Sequence, residues 1–168
     1  MSEKITVNYK GYKINGVSAY YNKDHDTTYI EVAGTAKILR ELLKLMKSKG
    51  IINYTKLWVR SETYSMGSSI TVFLYKPVGD TKSTVNNLVK SFEYGNFDAM
   101  EDIYRFKTKT ERPVITLENG KVVKNFGMKY GDVYGRPPYD TKEYNMEVNN
   151  DNLWNKKTNK CNCPVFLQ

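Results

Sequence analysis

The stretch "RSETYSMGSSITV", Arg60 to Val72, gathers Ser61, Ser65, Ser68 and Ser69 about Gly67. Such a composition suits a nucleophile on a tight turn or a cradle of hydroxyls and amides for phosphate. A serine nucleophile needs a base within hydrogen-bond reach and a third group that orients the base. His25 is the chain's one histidine, it stands in the polar run "NKDHD", and nothing in the sequence links it to Ser65, Ser68 or Ser69. There is no P-loop and no G-x-G-x-x-G to make the serines phosphate ligands in a familiar way. Two readings stay open: donors for nucleic-acid phosphates, which need no nucleophile, or a turn that satisfies its own backbone.

Other groupings with chemical potential have bland explanations. Asp24, His25 and Asp26 are competent metal ligands by type, but three adjacent residues rarely converge on one ion, so a solvated turn is expected. Asp98, Glu101 and Asp102 would place carboxylates on one helical face for magnesium or acid-base work. An N-cap with two acids in the first turn explains the same letters. Cys161 and Cys163 are the only cysteines; zinc would need two further ligands, and the histidine is far away along the chain. No catalytic residue, metal or cofactor is expected.

Positive charge is concentrated. The 168 residues carry a net +8, yet residues 35–60 hold seven basic side chains against Glu41, a local +6. A field of this kind attracts nucleic acid, an acidic protein face or anionic lipid. No stretch approaches the roughly 18 consecutive apolar residues that a bilayer span needs, and "MSEKITVNYK" lacks a signal peptide's apolar segment. A cytoplasmic protein of the host cell is expected.

Elements must position these groups. "KITVNYKGYKI", with a turn at Gly11, then "VSAYY" and "TTYIEVAG" read as strands. A helix follows, with Thr35 as its N-cap, Ile38, Leu39, Leu42, Leu43, Leu45 and Met46 as its apolar face, and Gly50 as its stop. On that helix Lys37, Arg40, Lys44 and Lys47 form one basic stripe. Residues 55–60 and 69–75 alternate as strands, and a second helix capped at Asp80 or Thr81 runs to Gly95. The pattern predicts an α+β fold: an antiparallel sheet with two helices packed on one face, a helix-strand-strand-helix core, and N-terminal strands extending the sheet. Trp58, Tyr64, Phe73 and Tyr75 stack on bases if they face outward and form a second buried face if they do not. Asp98 with Glu101 predicts a capping box and a helix; residues 114–126 predict a hairpin about Asn119-Gly120. A single domain over 1–128 and an irregular, Tyr-, Asn- and Pro-rich extension over 129–168 complete the expectation.

The ordered pieces resemble a family. "LRELLKLMKSKGIINYTKLWVRSETYSMGSSITVFLY", a helix, and then "FEYGNFDAMEDIY" are similar to the large polyvalent protein-associated domain family, type 29. The shared pattern falls on Lys56, Val59, Arg60 and Ser61; on Tyr64, Ser65, Gly67, Ser68, Ser69, Ile70 and Val72; and on Phe92, Gly95, Phe97, Asp98, Met100, Asp102 and Tyr104. It spans roughly residues 35–106, with Ala99 in place of the usual glycine. The resemblance implies carriage on phages or plasmids, in proteins that help incoming DNA meet host defences, and no established catalytic activity.

The expectation is therefore a non-enzymatic binding protein acting in counter-defence. It would occlude a host nucleoprotein complex such as a CRISPR effector through Lys37, Arg40, Lys44, Lys47, Lys56, Arg60, Tyr64 and Ser68, with tyrosines giving shape-specific contact. The alternative is an accessory protein that binds DNA or RNA directly without a protein target; an enzyme is a distant third.

Overall fold

A two-residue turn sets the first hairpin in the computed structural model, which describes residues 2–24, 26–65, 67–93, 95–98, 103–106, 112–123 and 125–146. β1 (Glu3–Tyr9) and β2 (Tyr12–Asn22) pair antiparallel with Tyr9 opposite Tyr12. The turn residues Lys10 and Gly11 have φ of 48° and 87°, the primed geometry whose twist matches the flanking strands. β3 (Thr27–Ile30) returns along β2 and leads almost directly into α1 (Val32–Ser48).

α1 begins one turn earlier than its sequence suggests. Glu31 holds the N-cap position, and Thr35 is buried inside the first turn, its N–H donating to the Glu31 carbonyl at 3.0 Å. The reason is packing. A Cβ on Gly34 would stand 2.3 Å from the Ser18 carbonyl oxygen and 2.9 Å from the Val17 Cγ1, so helix and β2 approach as only glycine allows. The C-terminus ends as expected: Gly50 has φ of 77°, its N–H donates to the Lys47 carbonyl, and the Ile51 N–H donates to the Met46 carbonyl. These two bonds form a Schellman motif.

β4 (Lys56–Tyr64) and β5 (Gly67–Tyr75) pair in register from Lys56 opposite Tyr75 to Tyr64 opposite Gly67. Nearly all of "RSETYSMGSSITV" is thus strand, where the sequence pattern ended the strands at Arg60 and resumed at Ser69. Hydroxyl and phenol side chains sit well on an exposed ladder, so polarity here marked an open strand and not a loop. α2 (Thr81–Phe92) follows, with Asp80 at the N-cap position. The Thr81 hydroxyl donates to the Val78 carbonyl at 2.6 Å and accepts from the Asn53 N–H at 2.9 Å.

Beyond α2, β6 (Gly95–Asp98) and β7 (Ile103–Phe106) pair antiparallel. The helix expected from Asp98 onward is corrected at Ile103–Phe106, whose β-branched and aromatic residues favour a ladder; Glu101 and Asp102 lie outside the described residues. The turn at Asn119-Gly120 is present, with Gly120 at φ of 89° and the Gly120 N–H donating to the Leu117 carbonyl at 2.9 Å. Its arms part quickly, however. β8 (Ile115–Leu117) pairs with β1, while β9 (Asn125–Phe126) pairs parallel with β3.

Three sheets result among the described residues. Their strand orders are β8-β1-β2-β3-β9, β10-β5-β4 and β6-β7, with β10 (Tyr130–Tyr134) parallel to β5. The expected extension of the β4–β5 sheet by the N-terminal strands is corrected: those strands form a sheet of their own. β10 takes the second flank of β5, and β4 is the edge strand, where Arg40 Nη2 donates to the Val59 carbonyl at 2.7 Å. Residues 130–134, expected to be irregular, are a strand whose Val133 packs against the core. α1 packs against β2 and β4, and α2 against β10. Ile38, Leu39 and Leu43 of α1, Val7 and Val17 of β1 and β2, and Ile70, Val72 and Leu74 of β5 are fully buried in one core, each large side chain contributing about 1.5–3 kcal/mol.

The chain divides into two compact units, Met1–Gly135 and Arg136–Gln168. Within the second, residues 142–146 are helical. The Thr141 hydroxyl accepts from the Tyr144 N–H at 3.3 Å, and the Tyr139 and Tyr144 rings meet edge to face at 4.8 Å.

Candidate binding surface on helix α1 and the three-stranded sheet

The basic stripe of α1 is partly engaged by the protein itself. Glu41 stands within it, its Oε2 3.6 Å from the Lys37 Nζ and 3.8 Å from the Lys44 Nζ. Arg40 leaves the stripe to hold the Val59 carbonyl, satisfying a backbone acceptor at the sheet's edge. Lys47 lies over the Tyr54 ring at 4.5 Å from its centroid, and Lys49 over the Tyr12 ring at 4.6 Å, where its ammonium also donates to the Tyr12 hydroxyl. Lys44 and Lys47 remain the exposed cations of the expected set on this helix. Beside them a shallow depression of about 320 Å³ is lined by Tyr12, Lys13, Ile14, Glu41, Leu42, Lys44 and Leu45.

Strand register decides which way the aromatics face. Val59, Ile70, Val72 and Leu74 are buried on the inner face, and residues one step away point outward. Trp58 lies opposite Phe73, Arg60 opposite Thr71, and Lys56 opposite Tyr75; all six share the outer face. β10 adds Tyr130, Asp132 and Tyr134 to it, beside Ser69, Thr71 and Phe73. Trp58, Phe73 and Tyr75 are half-buried, while Tyr64, Tyr130 and Tyr134 are exposed. These aromatics therefore stand on the outer face, with Trp58, Phe73 and Tyr75 only half-exposed. The Trp58 and Tyr75 rings meet edge to face at 6.5 Å, and Phe73 leans on Tyr134 at 5.5 Å.

Ser68 falls on the other side. It is buried at 8% exposure, and its carbonyl accepts from the Lys129 N–H at 3.0 Å, so its place is within the inner face and not among surface donors. Lys56, Arg60 and Tyr64 share the outer face, spread along the whole length of β4; Lys37, Lys44 and Lys47 line the helix. His25, Met100, Glu101 and Asp102 lie outside the described residues, as do Cys161 and Cys163.

Two phenols beside these surfaces, Tyr54 and Tyr64, have shifted acidity. Burial pushes the Tyr54 hydroxyl above the usual tyrosine range. Tyr64 is raised too, chiefly by desolvation and then by the neighbouring Tyr130, Glu62 and Asp132, against the Ser69 hydroxyl, which lowers it by hydrogen bonding. These neighbours come from all three strands of the sheet.

β10 supplies the part of this surface that sequence reasoning missed. Its alternation, "YGDVY", is brief, and its parallel pairing with a strand some sixty residues earlier leaves no local signal. It is held by Glu93, a buried carboxylate that accepts from the Gly131 N–H at 2.7 Å, and by the Lys90 Nζ, which donates to the Gly131 carbonyl at 2.7 Å. A Cβ on Gly131 would stand 2.5 Å from the Val89 Cγ1, so α2 and β10 pack in close contact.

The described residues contain no group of three or more His, Cys, Asp or Glu able to hold a metal ion. No described helix is long and apolar enough to cross a membrane. No curated protein and no solved structure matches the chain. A family model does: that of large polyvalent protein associated domain 29, over residues 30–134, from the last residue of β3 to the last of β10.

Proposed function

We propose, for a chain that belongs to the large polyvalent protein associated domain 29 family, a non-enzymatic role in counter-defence on behalf of a phage or other mobile element. The chain occludes a host complex that handles nucleic acid, a CRISPR effector being one such complex. The observation that carries this reading is the coincidence of two features on α1 and β4. One is a local charge of +6 over residues 35–60; the other is the aromatic outer face that β4 shares with β5 and β10. Cations supply long-range attraction to guide RNA, target DNA or an acidic protein face. Tyrosines supply contact area at low entropic cost. Neither needs a nucleophile, a metal or a cofactor.

A second reading is favoured by the outer face alone: direct binding of DNA or RNA by an accessory protein that has no protein target. Salt separates the two. Direct binding through six to ten phosphates falls by about 10³–10⁵ between 50 and 200 mM salt and depends on Lys56 and Arg60 of that face. A protein-led interface survives that rise and weakens on Tyr64→Ala. Retention of a host complex at the higher salt supports the first reading; loss in step with naked nucleic acid supports the second.

A further inference from the structure

The outer face of the β10-β5-β4 sheet repeats one unit, once on each strand. An aromatic ring stands with a lysine ammonium against it: Lys56 at 6.0 Å from the Trp58 centroid, Lys76 at 5.2 Å from Tyr75, and Lys129 at 5.6 Å from Tyr130. A nucleotide has the matching pair of groups, a flat base and a phosphate. We infer that this face is a stacking platform for single-stranded nucleic acid, each ring taking a base and each ammonium an adjoining phosphate. The inference rests on the reading of the chain as a binding protein and specifies what one of its surfaces holds.

Three observations favour this ligand. First, the outward positions of β4, β5 and β10 are aromatic, hydroxyl-bearing, charged or glycine. Without aliphatic side chains the face is suited to π-stacking more than to the dry packing of an interface core. Second, the Trp58 and Tyr75 rings are inclined by 61° with centroids 6.5 Å apart, so bases lying flat on each ring are splayed from one another, as a single strand permits and a duplex does not. Third, a duplex offers base edges in its grooves, whereas only unpaired bases expose their faces to side chains. An open sheet three strands wide then serves as the platform, as sheet aromatics do in other single-strand binders. Stacking is indifferent to base identity, so weak sequence preference follows.

The test uses the full chain and two labelled probes at one salt concentration: an oligothymidylate of about 12 nucleotides, and an abasic oligonucleotide of the same length with the same phosphates and no bases. Fluorescence anisotropy should show the oligothymidylate bound at least about tenfold more tightly, and a duplex of equal length bound more weakly than the single strand. Trp58→Leu and Tyr75→Leu, checked for fold by circular dichroism, should each weaken oligothymidylate binding about fivefold or more and leave the abasic probe unchanged. Equal affinity of the unaltered protein for both probes overturns the platform whatever the variants do. If that common affinity collapses on Lys44→Gln, the basic surface stands and the platform alone is wrong. Capture of a host complex with no affinity for either probe likewise overturns the platform and leaves the counter-defence reading intact.

Discussion

Glu41 is the one acid in the basic stretch, and it is shared between Lys37 and Lys44. Exposed pairs of this type contribute at most about 0.5 kcal/mol each to stability, so their removal is felt mainly in the field. Glu41→Gln should leave the melting temperature nearly unchanged and tighten binding to an anionic partner by up to about fivefold, since a unit charge at contact distance in water is worth about 1 kcal/mol. Titration of the variant at low salt checks this; unchanged binding would remove α1 from the interface. A second residue-scale prediction concerns Tyr54. Its folded pKa is raised by burial, so the folded state keeps its proton at a pH where the unfolded chain releases it. That contribution is fully present below the unfolded tyrosine value of about 10 and is lost as pH rises toward the folded value. Urea midpoints should therefore fall above pH 10 in the parent and fall less in Tyr54→Phe.

At the scale of elements, the close approach of α1 to β2 fixes the helix that carries the stripe. Gly34→Ala puts a methyl against the Ser18 carbonyl oxygen, with Ile30 and Val17 also too near. The closest atom belongs to the backbone and cannot swing away. Overpacking of this sort costs about 1–3 kcal/mol, and chemical denaturation should show a loss of that size despite alanine's higher helix propensity. The two helices and the β4–β5 pair were legible because each has a periodic apolar face, and Gly11, Gly50 and Gly120 mark turns or ends where the backbone requires φ > 0. Thr35 misled because hydroxyl residues favour N-caps, while tertiary contact extended the helix past it. "AMEDIYRF" misled because an N-cap pattern and a strand's β-branched and aromatic residues overlap in eight letters, and pairing with β6 favoured the strand.

For the whole molecule, the organisation of strands into sheets was the part that local pattern could not supply. β3 with β9 and β5 with β10 are parallel pairs between distant segments, and nothing in either partner announces the other. The candidate surface shares this limit: Lys37, Lys44 and Lys47 were legible as a stripe, whereas Tyr130 and Tyr134 joined Trp58 and Phe73 only through register. Arg40 and Ser68 had the right chemistry for a ligand but serve the fold, one at the sheet's edge and one on its inner face. In the proposed role, the cations of α1 and the outer sheet face dock onto a host complex without catalysis. Capture from nuclease-treated host lysate on the immobilised full chain tests it most directly. A protein complex that normally binds nucleic acid should be recovered, and lost in a Lys44→Gln, Lys47→Gln, Tyr64→Ala variant that keeps its fold. Recovery of no protein partner, together with tight binding to naked DNA or RNA, would contradict it.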